Sequence, residues 1–199
     1  MTLKRQAKTL NRSNIDRALQ HVRLKRNGLR NEVILLLSIR AGLRAKEIAG
    51  LRWSMLLNPD GEVGDYIHLT DVASKGRSGR AIPLNRDLKQ ALIALHRTSV
   101  KFGIPRRAER HIIITERRDH ATPQVIVNLF QRWYAELGLL GCSSHSGRRT
   151  FITNAARKIS TVGGSLRDVQ ALAGHRSLNT TQRYIEFDSQ AQSKVVNII

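Results

Sequence analysis

Apolar residues in this chain recur at helical spacing almost everywhere, and that period sets the fold class. Leu88, Leu92 and Leu95 form one stripe, and Ile126, Phe130, Trp133 and Leu137 form another. A repeat near 3.6 residues lays each set along one face of an α-helix. Helices are also expected at about 14–26, at 29–41 (where Gly42 closes the run), at 146–158, 166–173, 180–186 and 188–196. A short helix is expected to start near Arg44 and carry Ile48 and Leu51. Ser13 with Asp16 reads as a capping box for the first helix, and Thr122-Pro123 as an N-cap and N1 proline. Only 66–69 and 80–84 alternate with period two, and 74–79 between them is rich in Gly, Ser and basic residues. They read as a β-hairpin with a basic tip, with Pro83 on an edge strand. Ile112, Ile113 and Ile114 read as a short buried strand or extended segment. The fold expected is mostly α with a small antiparallel β-sheet (α+β), one domain over 199 residues.

Charge narrows the partner. Lys and Arg number 34 against 15 Asp and Glu, a net +19. Such a surface favours a polyanion, nucleic acid first and an anionic membrane second. The longest apolar run is about five residues, 33–37, too short for a transmembrane helix. The N-terminus is basic but lacks the apolar stretch of a signal peptide, so an intracellular, soluble protein is expected. The first 30 residues hold nine Lys/Arg and one acid, Asp16. Residues 1–13 read as a basic arm. Lys4, Arg5, Lys8, Arg12, Arg23, Lys25 and Arg26 are either solvated or phosphate-contacting. The single cysteine, Cys142, rules out an internal disulfide, and a four-ligand zinc site would lean on histidine. No Walker loop, dinucleotide glycine fingerprint or H-E-x-x-H pair is present.

Four segments stand out when read for phosphate chemistry. In 42–48 an Arg fork, Arg44, stands at a helix start, with Glu47 three residues on to orient it. The hairpin tip carries Lys75, with Arg77 and Arg80 nearby. In 144–149 the i,i+3 spacing puts His145 and Arg148 on one helical face, beside Arg149. In 172–175 Gly174-His175 is followed nine residues later by Tyr184. Alone each has a plain alternative: a helix-capping histidine, a solvated lysine, a core tyrosine. His21, His68, His96, His111 and His120 read as structural or surface groups.

Taken in order, the segments resemble the catalytic domain of the tyrosine recombinase (phage integrase) family. The resemblance is carried by AGLRAKEIAGLRW at 41–53, SKGRSGRAIPL at 74–84, HSGRRTFITNAAR at 145–157 and LAGHRSLNTTQRYIE at 172–186, and it spans about 10–190. It implies an ordered site of Arg44, Lys75, His145, Arg148, His175 and Tyr184. The stretch 158–165 is a few residues long for the pattern and is expected to lengthen a loop without moving the site.

The resemblance implies transesterification at a DNA phosphodiester with no cofactor: neither metal nor nucleotide. Tyr184 is then the nucleophile and forms a 3′-phosphotyrosyl link that conserves the energy for rejoining. Arg44, Arg148 and His175 stabilise the charged transition state. Lys75 is the general acid for the leaving 5′-oxygen, and His145 assists the Tyr184 proton. The implied partners are double-stranded DNA, a tetramer of the chain on DNA, and a partner recombinase or accessory DNA-bending protein. No membrane is involved, and the location is the bacterial cytoplasm at the nucleoid.

Only 43 residues precede Arg44, too few for the helical clamp domain of most members. The chain is therefore expected to resemble the short recombinases that invert fimbrial promoter segments. Val195, Val196, Ile198 and Ile199 give the tail 188–199 an apolar face. It packs on its own domain or, by resemblance, docks on a neighbouring protomer. A nicking-closing enzyme like type IB topoisomerases, an idle or partner-dependent DNA-binding regulator, and a basic RNA-binding protein remain as alternatives. If Lys75 is the acid, Lys75→Ala slows cleavage by roughly 10²- to 10⁴-fold with DNA binding nearly intact. Cleavage at the wild-type rate in a single-turnover assay would pass that role to Arg77 or Arg80, or end the assignment.

Overall fold

The computed structural model describes residues 7–70, 79–101 (side chains up to 98), 108–116 and 120–184. Within them lie eight α-helices and one two-stranded sheet. The helices are α1 (Arg12–Arg23), α2 (Gly28–Arg40), α3 (Ala45–Gly50), α4 (Arg86–Lys101), α5 (Pro123–Glu136), α6 (Ser146–Lys158), α7 (Leu166–Ala173) and α8 (Leu178–Gln182). Strands β1 (Tyr66–Leu69) and β2 (Arg80–Pro83) pair antiparallel, with Tyr66 opposite Pro83 and Leu69 opposite Arg80. The mostly helical architecture agrees with the periodicity. Among the described residues no helix is long and apolar enough to cross a membrane.

Helix α2 is the axis of the core. Residues 33–37 are all buried, as is Ile39, and the helix packs against α1, α4 and α6. A helix apolar on every side belongs inside, and this one is. Helix α3 packs on α5, where Ile126, Phe130, Trp133 and Tyr134 are buried. The sheet turns Ile67, Leu69 and Ile82 inward. A separate small cluster of Ile152, Val169 and Ala173 lies between α6 and α7, with Tyr184 packed against it.

Local signals explain most boundaries. Thr122 caps α5 by accepting from Val125 N–H at 3.3 Å, and Pro123 takes N1. The cap of α1 differs from expectation: Asn11 accepts from Asn14 N–H at 2.8 Å, and Ser13 sits inside the helix. That helix also stops at Arg23, because Leu24 is 88% exposed and adds nothing to the buried face. Residues 112–114 form no strand: the chain bends at Ile112 and Ile113, both buried, and Ile112 N–H donates to Leu51 O at 2.9 Å. The long stretch after α6 becomes a 3₁₀ turn, Ile159–Val162, closed by Gly163. Helix α8 starts earlier than expected because Ser177 caps it, and it ends before Tyr184. The helix expected at 188–196 lies outside the described residues.

Gly42, after α2, is tied to its place twice. Its φ is +65°, and a Cβ there would stand 2.4 Å from the Phe151 ring. Gly61 shares the positive φ (+77°) but has open space around it. Gly42→Ala is expected to cost roughly 2–5 kcal/mol, strain plus overpacking, and Gly61→Ala only about 1–2 kcal/mol. Denaturant titration of the two variants measures the difference; equal costs would mean the Phe151 contact is easily relieved.

Candidate active site

The site is built around Arg148, on the first turn of α6. Its side chain is buried, and its two terminal nitrogens donate to Gly42 O and Ala173 O, each at 2.6 Å. One carbonyl lies two residues before Arg44 and the other two before His175. A single guanidinium thus gathers three segments far apart in sequence. Burial, then the nearby Arg44 charge, lowers the Arg148 pKa to about 10, so it remains a cation at neutral pH.

Arg44 is the N-cap residue of α3, about one-third exposed. Glu47 receives its backbone N–H at 2.8 Å and its Nη1 at 2.9 Å. The orienting role expected for Glu47 fits this geometry. Glu47 is almost wholly buried, and a second arginine shares it. Arg80 Nη1 and Nη2 donate to its two oxygens at 3.0 and 3.3 Å, and Arg80 Nε donates to Leu172 O at 2.9 Å. Burial pushes the Glu47 carboxyl up, but the Arg80 fork, the Arg44 N–H and both positive charges outweigh it and hold the pKa below its ordinary value.

Arg80 therefore corrects the expectation of a DNA-facing cation. Its side chain is only 7% exposed and is committed to Glu47 and the end of α7. Gly174 makes room for it: a Cβ there would fall 2.7 Å from Arg80 Nη1.

His175 follows Gly174. Its backbone is locked to Gln170 in both directions, N–H to O at 3.1 Å and Nε2 of Gln170 to its own O at 3.0 Å. Its Nδ1 meets Thr181 Oγ1 at 2.9 Å. Burial, then the charges of Arg148, Arg44 and Arg80, lowers its pKa to about 4. The ring is therefore neutral near pH 7. Tyr184, half-buried in the turn after α8, stacks on it with centroids 5.6 Å apart.

These groups line one cleft of about 500 Å³: Arg44, His145, Arg148, His175 and Tyr184, together with Arg149 and Arg183. His145 is the exposed N-cap residue of α6, one turn before Arg148. Lys75 and Arg77 lie outside the described residues, as do Lys4 and Arg5. Lys8 and Arg12 are exposed. Arg23, Lys25 and Arg26 do not line the cleft and are paired with Glu32, Glu136 and Glu116. Exposed pairs of this kind are weak, so those cations keep their long-range attraction for a polyanion. The sequence reading missed Thr181 and Arg183. The available signal was position, one three residues before Tyr184 and one immediately before it.

The phage integrase family model matches residues 8–191. The chain belongs to that family. Among its relatives is tyrosine recombinase XerC of Bradyrhizobium diazoefficiens, 32% identical over 162 residues, which are 81% of this chain and 47% of the relative. XerC of Myxococcus xanthus is 32% identical over 163 residues, 80% of this chain and 51% of the relative. The chain thus spans about half the length of the curated relatives it matches. Among solved folds, XerA recombinase superposes with a TM-score of 0.72 at 19% identity, covering 98% of this chain and 66% of XerA. XerH recombinase bound to its difH substrate gives 0.71 at 21% identity, covering 100% of this chain and 56% of XerH. The integrase fold therefore frames the cleft.

Stranding a buried charge costs about 3–5 kcal/mol. Arg80→Ala is expected to lose that much stability in urea, and adding Glu47→Gln is expected to recover part of it. An unchanged urea midpoint for Arg80→Ala would contradict the structural role given to this arginine.

Proposed function

We propose that this chain is the catalytic domain of a site-specific DNA recombinase that cuts and rejoins DNA through a 3′-phosphotyrosyl intermediate on Tyr184. The observation that carries the reading is the convergence of Arg44, His145, Arg148, His175 and Tyr184 on one cleft, from segments spread over 141 positions of the chain. A nucleophile beside two guanidinium groups and a neutral imidazole suits attack on a phosphodiester.

In the proposed step Tyr184 Oη attacks the phosphorus, and the new P–O bond forms as the bond to the 5′-oxygen breaks. His145 takes the tyrosine proton. Lys75 gives a proton to the departing 5′-oxygen. Arg44 and Arg148 hold the non-bridging oxygens as negative charge builds, and His175 donates one further hydrogen bond. Attack by a 5′-hydroxyl on the phosphotyrosine reverses the step and restores Tyr184. Donors fixed in advance are worth about 10²–10³ in rate each.

The partner proposed is double-stranded DNA, and two observations support it. The chain carries a net +19 charge, and relatives of this fold have been solved on DNA. Assembly as a tetramer on DNA, help from a partner recombinase or DNA-bending protein, and a place at the bacterial nucleoid belong to the same reading. So do the single catalytic domain over 1–199, the phosphate contacts of Lys8, Arg12 and Arg149, and the docking of 188–199 on a neighbour.

The test uses nicked duplexes tiled across the DNA flanking the gene, on which cleavage frees a short strand and traps the covalent complex. A slowly migrating adduct is expected on a denaturing gel, absent in Tyr184→Phe, which still binds. Clear binding without an adduct would favour the partner-dependent regulator.

A further inference from the structure

The contact between Thr181 and His175 carries information about where a proton sits. Thr181 is fully buried on α8, and its hydroxyl lies 2.9 Å from His175 Nδ1. Among the described residues that nitrogen is the hydroxyl's sole hydrogen-bond partner. Thr150 and Thr98 turn their hydroxyls back to a backbone carbonyl, Ser146 O at 2.8 Å and Ala94 O at 2.9 Å. Thr181 does not.

Two proton placements satisfy the distance, and they are unequal. If Nδ1 carried the proton, the threonine oxygen would accept it and the threonine's own O–H would be left buried with no acceptor. Buried donors are seldom left so, because the group loses water and gains nothing. If the threonine donates, both atoms are satisfied at once. A doubly protonated ring is opposed by burial and by three arginines, Arg148, Arg44 and Arg80.

We propose that Thr181 is a positioning residue: its hydroxyl donates to Nδ1 of His175 and so holds the ring as the tautomer with its proton on Nε2, the nitrogen turned away from Thr181. The Gln170 contacts fix the His175 backbone, and the Tyr184 ring covers one face. The side chain is thereby left with a single donor of fixed direction. That Nε2–H serves a phosphate oxygen rests on the proposed function; the tautomer itself does not.

The experiment is ¹⁵N–¹H correlation of the imidazole nitrogens of the free protein at pH 7, with His175 assigned by comparison with a His175→Gln sample. Expected is a lone-pair signal for Nδ1 and a protonated signal for Nε2. Thr181→Val, of equal shape but without the donor, is expected to show a mixture of tautomers; Thr181→Ser is expected to keep the wild-type pattern. Adduct formation on the nicked duplexes should slow by about 10- to 100-fold in Thr181→Val, the effect typical of a lost orienting partner, and by only a few-fold in Thr181→Ser, with DNA affinity unchanged. A wild-type ring protonated on Nδ1 overturns the proposal. So does a Thr181→Val protein with the wild-type tautomer and rate. If the tautomer is as expected but the wild-type protein forms no adduct, the recombinase reading fails and the assignment of Thr181 stands.

Discussion

One buried guanidinium organises this molecule. Arg148 is taken almost wholly out of water, and it is tolerable there because two main-chain carbonyls receive it at 2.6 Å. Carbonyls neutralise no charge, so Arg148 keeps its positive field in the cleft while fixing the bends before Arg44 and His175. Replacing either carbonyl by a carboxylate would hold the side chain as firmly and cancel the field. A buried cation held by dipoles is the arrangement that a preorganised anion site requires.

Glu47 solves the complementary problem. It is the acid buried beside these cations, and it is set behind them, shared between Arg44 and Arg80. Arg80 spends its own charge on Glu47, so Arg44, one-third exposed, can turn part of its fork toward the cleft. Arg80 also reaches Leu172 O and fills the space beside Gly174. Strand β2, helix α3 and the end of α7 are tied at this one point. The architecture is therefore less a scaffold with residues added than a set of short segments joined through charged side chains.

Much of this was legible before any coordinates. Helical spacing gave α2, α4, α5 and α6, since each buries a continuous stripe, and Thr122-Pro123 fixed the start of α5 to the residue. The ordered motifs named five of the side chains that line the cleft, Arg44, His145, Arg148, His175 and Tyr184, because motif residues are few and their spacing is rigid. Burial of charge was not legible. Arg80 lies in a basic stretch and reads as surface, and nothing local says that Glu47 lies beneath it across 33 positions of sequence. Thr181 was missed for a related reason: a threonine in a short polar helix resembles solvent-facing filler until the histidine packed on it is seen. The α1 cap failed differently, since Asn11 and Ser13 are both good caps and only the path of the incoming chain chooses between them.

The central claim is that the cleft directs Tyr184 onto a DNA phosphorus. Mass spectrometry of the covalent complex, digested with protease and nuclease, tests it most directly. The account predicts a nucleotide 3′-phosphate joined to Tyr184 and a free 5′-hydroxyl on the released strand. A nucleotide joined to any other side chain, or a 5′-phosphate on the released strand, would contradict it.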